Sequence, residues 1–168
     1  MLVYDTGNVC VATATRCGHT SMYDHFKLPR YSINNGLDVW ITSTSRRVLV
    51  LRNPYDRIQS ALKNMSVVYD RIKTPNFISE SWLKTHSEPY LISIPKDLDF
   101  EIIDFYNLSM YIKLSASTLV TNSNNVDISL YRDYPFIDEE YSRYQYFINN
   151  RKHISPNEWK ELTQCGLH

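Results

Sequence analysis

The chain has few of the residues that cross-link small folds. Its 168 residues include only three cysteines, an odd number with no Cys-x-x-Cys pair. This pattern argues against a disulfide framework or a cysteine-bound zinc site and favours a reducing compartment. No apolar run reaches the roughly 18 residues of a membrane span, and residues 1–5 are not typical of a signal peptide. We therefore predict a cytoplasmic protein with no membrane span and no metal site.

A net charge of either sign is also missing. The chain carries 18 Lys and Arg against 18 Asp and Glu, which argues against a broad nucleic-acid surface. Residues 1–63 nevertheless hold eight basic and four acidic side chains, and this excess indicates a local anion site in the first third of the chain. Hydrophobic residues make up 43% of the chain, as in ordinary globular proteins. The length is that of one domain, so we predict a single compact domain over residues 1–168.

Apolar runs separated by chain breakers predict an α/β fold. The predicted strands are residues 8–13, 38–42, 47–51 and 100–104. The predicted helices are one ending at Phe26, one beginning at Asp56, residues 76–84, residues 108–114 and two that close the chain. The last helix is expected to begin with a capping box formed by Ser155 and Glu158. The polar segment 115–129 is predicted to be a mobile loop.

A tight polar turn, residues 15–21 with the sequence TRCGHTS, follows the first of these strands. The first N–H groups of a helix lack partners within the helix, and the helix dipole adds about half a positive charge there. Arg16 adds a permanent charge with forked donors that suit phosphate or sulfate, and Thr20 and Ser21 can donate hydroxyls. The turn therefore predicts an anion site. The alternative is a purely structural connection from strand to helix.

A second arginine follows the most apolar predicted strand. Arg52 comes directly after residues 47–51, and Ser60 lies eight residues later on the next predicted helix. Ligands of open α/β sheets gather at the carboxyl ends of the strands. Because Pro54 turns the chain back, Arg52 and Ser60 can both reach one phosphate at the sheet edge. The alternative is that Arg52 forms a surface ion pair and Ser60 is an ordinary helix residue.

Together these two segments resemble the sulfotransferases that use 3′-phosphoadenosine 5′-phosphosulfate (PAPS). Residues 16–21, RCGHTS, are similar to the family motif Lys/Arg-x-Gly-x-Thr-Ser/Thr/Trp. Residues 51–61, LRNPYDRIQSA, are similar to Arg-[Asp/Asn]-Pro-x-[Asp/Glu]-Arg-x-x-Ser. The resemblance covers residues 8–65 and, more faintly, 86–114, where it is to the carbohydrate-type branch. It implies a short, mostly parallel sheet flanked by helices, in the P-loop-NTPase-like architecture of the family.

The resemblance also implies roles for individual residues. The turn would bind the 5′-phosphosulfate of PAPS, and Arg52 with Ser60 would hold its 3′-phosphate. Arg16 would stabilise charge on the leaving group, although family members usually carry Lys there and Arg cannot readily give up a proton. The implied donor-binding residues are Arg16, Cys17, Gly18, His19, Thr20, Ser21, Arg52 and Ser60. The acceptor would be a hydroxyl group on a carbohydrate or another small molecule.

The general base for that hydroxyl has three candidates. His86 lies in the sequence HSEP, which resembles a His-x-x-Pro segment of the family. Asp38 lies on a predicted strand, and His19 lies within the turn itself. A histidine fits best, because its unperturbed pKa of about 6.5 is close to working pH.

Two other functions compete with sulfuryl transfer. The first is a module that binds PAPS or its product adenosine 3′,5′-bisphosphate (PAP) with little or no turnover, because the chain is shorter than most relatives. The second is a P-loop kinase or NTPase, which is disfavoured because the turn lacks the Lys-Ser/Thr pair of a Walker A loop. The sequence leaves the oligomeric state open.

Overall fold

The computed structural model of the chain describes residues 1–27, 36–68, 89–116 and 135–164, except for the side chains of 62–68 and 135. Four strands form one mixed sheet in the order β1-β2-β3-β4. The strands are β1 (Leu2–Asp5), β2 (Val9–Thr13), β3 (Arg46–Leu51) and β4 (Glu101–Asp104). β1 runs antiparallel to β2, whereas β2, β3 and β4 run parallel to one another.

Helices follow β2 and β3, and two more close the described part of the chain. The helices are α1 (His19–Phe26), α2 (Gly36–Thr42), α3 (Pro54–Val68), α4 (Pro135–Asn150) and α5 (Pro156–Gln164). Two 3-10 turns, Leu91–Ser93 and Phe105–Met110, lie between α3 and α4 in the chain. None of the helices in these ranges is long and apolar enough to cross a membrane.

The parallel strands are buried on both faces. Every residue of Val9–Thr13 is fully buried, as are the last four residues of Arg46–Leu51. Continuous apolar runs of this kind are typical of parallel strands covered by helices, and the sequence predicted both strands for that reason. An aromatic cluster extends the core, because Phe100 packs edge-on against both Trp40 and Phe147.

The predicted strand at residues 38–42 is wrong, since this segment is the helix α2. Val39, Ile41 and Thr42 favour a strand by local propensity, but Gly36 and Trp40, one helical turn apart, are the residues that α2 buries. The Trp40 indole Nε1 donates to the Cys10 carbonyl oxygen at 3.1 Å and ties α2 to β2. The additional strand of the sheet is β1, which the sequence interpretation did not identify.

Gly36 permits the close approach of α2 to the start of the chain. A Cβ atom at this position would lie 2.2 Å from the Met1 carbonyl oxygen, so only glycine fits there. The backbone of α2 can therefore lie directly against the start of β1, where α2 buries Gly36 and Trp40.

Most of the other predicted elements are confirmed within the described residues. The strands at 8–13, 47–51 and 100–104 are present, and the helices that end at Phe26 and that cover Asp56 are present too. The closing helices are α4 and α5. The capping box is formed as predicted, because the Glu158 N–H donates to Ser155 Oγ at 3.2 Å and the Ser155 N–H donates to Glu158 Oε2 at 3.0 Å.

Three predicted segments have a different outcome. The helix predicted at residues 108–114 is instead the 3-10 turn Phe105–Met110, which starts directly after β4. The predicted helix at 76–84 lies outside the described residues, and so does most of the predicted loop, residues 117–129.

Candidate functional site

The carboxyl ends of the three parallel strands meet at one edge of the sheet. Thr13 of β2 pairs with Val50 of β3, and Leu51 of β3 pairs with Asp104 of β4. The segments that follow these strands must therefore lie side by side. They are residues 14–18 after β2, Arg52 after β3 and the 3-10 turn after β4.

The turn after β2 is held by its own backbone and by Thr13. The Cys17 N–H donates to the Ala14 carbonyl oxygen at 3.0 Å, and the Thr13 hydroxyl donates to the Cys17 carbonyl oxygen at 2.8 Å. Arg16 has φ +66° and Gly18 has φ +79°, so two residues of this short turn adopt the left-handed region. Helix α1 begins directly after Gly18, which is its N-cap residue. The fold thus aims the start of α1 at the sheet edge.

Gly18 is favoured by its left-handed backbone conformation, and a larger residue there would need the buried Leu108 side chain to shift. A Cβ atom there would lie 2.5 Å from Leu108 Cδ2 in the neighbouring 3-10 turn. We expect Gly18→Ala to lower the free energy of unfolding by about 2–3 kcal/mol, from left-handed strain and overpacking together.

Gly7 provides a matched control for this prediction. It has φ +85°, but a Cβ atom there would meet nothing within 4 Å. Gly7→Ala should therefore lower the free energy of unfolding by only about 1 kcal/mol, the cost of the left-handed backbone strain. Chemical denaturation of both variants measures the difference, and equal losses would contradict the packing role of Gly18.

Arg52 joins the two strand ends directly. Its Nη1 donates to the Arg16 carbonyl oxygen at 2.7 Å, and its guanidinium carbon lies 4.3 Å from the centroid of the Phe105 ring. Burial lowers the pKa of Arg52, and the carboxylate of Asp56 partly offsets this effect. Asp56 in turn accepts a hydrogen bond from the Tyr106 hydroxyl. Arg52 is thus fixed between all three segments at the edge.

The two arginines lie close enough for their charges to repel. Burial lowers the pKa of the Arg16 guanidinium, and the positive charge of Arg52 lowers it further. Two half-buried cations on adjacent loops form a positive site suited to an anion. Arg52 Nε is buried and has no hydrogen-bond partner among the described residues, so Arg52 retains an unused donor.

A third arginine lies beneath the turn. Arg57 on α3 is 1% exposed, and its Nε donates to the Thr15 carbonyl oxygen at 3.4 Å. Its Nη1 lies 3.7 Å from Oε2 of Glu140 on α4, and its guanidinium carbon lies 4.8 Å from the centroid of the Tyr90 ring. Burial raises the pKa of Glu140 to about 7 despite the nearby Arg57. This buried pair supports the turn from inside the protein.

The remaining predicted donor-binding residues differ in how they present their side chains. Cys17 is fully buried, whereas Thr20 and Ser60 are partly exposed. Ser21 is buried, and its hydroxyl oxygen accepts from the Ser115 N–H at 2.8 Å. The partly exposed His19 accepts the Tyr4 hydroxyl at its carbonyl oxygen, at 3.1 Å.

Of the three candidate bases, the described residues include Asp38 and His19. Asp38 is exposed on α2 rather than on a strand, so the sheet-based reason for choosing it no longer holds. His19 is the first residue of α1 and lies within the site. His86 lies outside the described residues. Within the described ranges, no group of three or more His, Cys, Asp and Glu side chains is placed to hold a metal ion.

Comparisons with protein-family models, curated proteins and solved structures found no match to this chain.

Three residues of the site were not identified from the sequence. Arg57 occupies the second arginine of the second motif, but the sequence analysis assigned it no role. Phe105 could have been inferred as the first residue after a predicted strand. Glu140 comes from a helix 83 residues after Arg57, and no local pattern indicates this contact.

Proposed function

We propose that this chain binds PAPS at the carboxyl edge of its sheet and transfers the sulfuryl group to a hydroxyl acceptor. The observation that carries the proposal is the hydrogen bond from Arg52 Nη1 to the Arg16 carbonyl oxygen at 2.7 Å. This bond joins Arg16 of the first motif to Arg52 of the second, 36 residues later in the sequence, and so places both arginines in one positive site. A nucleotide with phosphates at both its 3′ and 5′ positions needs such a pair of neighbouring anion sites.

The residues present fit the two ends of this substrate. The start of α1 and Arg16 offer backbone N–H groups and a guanidinium to the 5′-phosphosulfate, and Thr20 can add a hydroxyl. Arg52 Nε, which is buried with no hydrogen-bond partner among the described residues, can donate to the 3′-phosphate. Ser60, partly exposed on α3, lies eight residues after Arg52 and can donate to the same group.

The chemistry suits a site built from cations. Sulfuryl transfer resembles phosphoryl transfer, in which positioning and stabilisation of charge on the leaving oxygens contribute most of the rate. Arg16 remains charged at all working pH values and would stabilise the leaving bisphosphate without giving up a proton. The acceptor hydroxyl requires a base, for which His19 within the turn and His86 are the candidates.

The proposal predicts selective thermal stabilisation. PAP at about 100 times its Kd should add about 2.7 kcal/mol to the free energy of unfolding. For a domain of this size the melting temperature should then rise by about 5–10 °C. Adenosine 5′-monophosphate (AMP), which lacks the 3′-phosphate, and ATP with magnesium should raise it far less at the same concentration. Equal shifts for all three nucleotides would contradict a site for a 3′-phosphate.

Transfer of labelled sulfate from PAPS to sugars, phenols and alcohols tests the reaction itself. Turnover on any of these acceptors identifies an enzyme and gives the acceptor class. Selective PAP binding with no transfer to the whole panel would assign the chain as a binding module instead.

A further inference from the structure

A second cavity, here called the α1–α5 cavity, lies away from the proposed donor site. It has a volume of about 480 Å³ and is lined mainly by His25, Phe26, Met110, Tyr111, Trp159 and Lys160. Cavities of roughly 300–1,000 Å³ hold small organic ligands in proteins. Thr6 also lines it and follows β1, whose carboxyl end lies beside the amino end of β2. The cavity therefore opens near the sheet edge opposite the Arg16 turn.

The walls of this cavity are aromatic. Trp159 is 1% exposed and forms their centre. Phe26 and Tyr111 meet its ring edge-on at centroid distances of 5.8 and 6.2 Å, and His25 stacks on it at 6.3 Å with an interplanar angle of 27°. Met110, which is 63% exposed, adds a flexible apolar side chain at the rim. Flat rings flanked by a thioether favour a planar aromatic ligand.

The polar groups of the cavity indicate which polar group the ligand carries. Trp159 Nε1 is buried and has no hydrogen-bond partner among the described residues, although buried indole N–H groups usually find an acceptor. The Trp40 indole, by contrast, donates to the Cys10 carbonyl oxygen. Lys160 contributes a positive charge to the lining, and none of the described lining residues is acidic. An indole donor and a cation both favour a ligand with an anionic oxygen.

We propose that the α1–α5 cavity binds a planar aromatic carboxylate. The ring system packs against Phe26, Tyr111 and Trp159. The carboxylate accepts the Trp159 indole N–H and pairs with Lys160. This inference does not depend on PAPS binding, because it uses different residues at the other edge of the sheet.

Indole NMR signals of the full chain, labelled with ¹⁵N at its three tryptophans, test the proposal with 2-naphthoate as the probe. Trp159→Phe assigns the Trp159 signal. We expect 2-naphthoate to shift that signal in a saturable manner and to leave the Trp40 signal in place. The amine analogue 2-naphthylmethylamine has the same ring and the opposite charge, and it should bind at least about tenfold more weakly.

Two variants make the test decisive. Trp159→Phe keeps an aromatic ring but removes the N–H donor, so it should weaken naphthoate binding measured by calorimetry, while the Trp40 indole signal stays in place. Lys160→Gln changes an exposed side chain, cannot disrupt the core, and should weaken naphthoate but not the amine. Equal affinity for the acid and the amine, an unsaturable shift of both indole signals, or unchanged naphthoate affinity in Lys160→Gln would each overturn the proposal.

Discussion

Replacing Arg57 by Met is expected to lower the free energy of unfolding by about 3 kcal/mol at about pH 8, because Glu140 is then buried without its cation and must either ionise unpaired or take up a proton at that pH. The side chains of Arg57 and Glu140 are only 1% and 3% exposed, and their Nη1 and Oε2 atoms lie 3.7 Å apart. The variant also loses the donor to the Thr15 carbonyl oxygen and the guanidinium contact with Tyr90. Chemical denaturation at equilibrium measures the loss.

The size of this effect should depend on pH. Burial raises the pKa of Glu140 from 4.5 to about 7, so the folded protein holds this proton more tightly than the unfolded chain does. The stabilisation that the bound proton provides is therefore complete below about pH 4.5 and is lost as the pH rises through about 7. In Arg57→Met the carboxyl can stay protonated at about pH 5, and the variant should lose less stability there than at about pH 8. Glu140→Gln, which cannot ionise, should remove this pH dependence.

Two further variants control for the loss of a charged side chain. Arg46 is partly exposed and pairs with Glu101, which is largely buried, and with the partly exposed Glu158; Glu101 keeps Lys152 as a partner when Arg46 is removed. Arg46→Met should therefore cost about 1 kcal/mol or less. The double variant Arg57→Met with Glu140→Gln should recover part of the stability lost in Arg57→Met, since no unpaired charge remains. Equal losses in Arg57→Met and Arg46→Met, or strict additivity in the double variant, would contradict a buried pair.

The sequence was sufficient to predict the parallel part of the sheet. Residues 9–12 and 48–51 are apolar throughout because parallel strands are covered on both faces, and this signal is local. The capping box of α5 was also predictable, because Ser155 and Glu158 are only three residues apart. Adjacent parallel strands then place the residues after them together, and the structure does bring Arg16 and Arg52 into contact.

The errors arise where distant contacts outweigh local propensity. Residues 38–42 contain the β-branched residues of a strand, yet they form a helix because Trp40 reaches the backbone of β2 and Gly36 fits against Met1. β1 is a strand because it pairs with β2, and its short apolar run is equally compatible with other structures. The contact between Arg57 and Glu140 joins two helices far apart in the chain, so no periodicity or spacing could reveal it.

The same distinction applies to the site. Arg16, Gly18 and Arg52 were identified because charge and backbone requirements are visible in a motif. The supporting groups were missed because their roles are set by tertiary packing: the Phe105 ring under Arg52 and the Ser115 backbone that donates to Ser21. Functional residues that act through backbone and aromatic contacts leave a weaker sequence signal than charged residues do.

Arg52→Ala should reduce the affinity for PAP by about 10–100-fold, because a charge-assisted hydrogen bond to a phosphate contributes about 1.5–3 kcal/mol. AMP has no 3′-phosphate, so its affinity should fall much less. The ratio of the two dissociation constants, measured by calorimetry, is therefore the decisive quantity. Arg52 also holds the Arg16 carbonyl oxygen, so some loss for both nucleotides is expected from a looser turn. Only a smaller preference for PAP over AMP, seen as a change in the ratio of their dissociation constants, reports recognition of the 3′-phosphate.

Ser60→Ala separates these two effects. Ser60 lies on α3, beyond the contact between Arg52 and the turn, so its removal should leave the turn intact. We expect PAP affinity to fall by about 3–10-fold with AMP affinity unchanged, as for the loss of one neutral donor. Arg52→Lys keeps the charge but loses the forked donors, so its affinity for PAP should lie between those of the wild type and Arg52→Ala. If both nucleotides weaken equally in Arg52→Ala and Ser60→Ala changes neither affinity, the second motif does not bind the 3′-phosphate, and its arginine serves only to hold the turn.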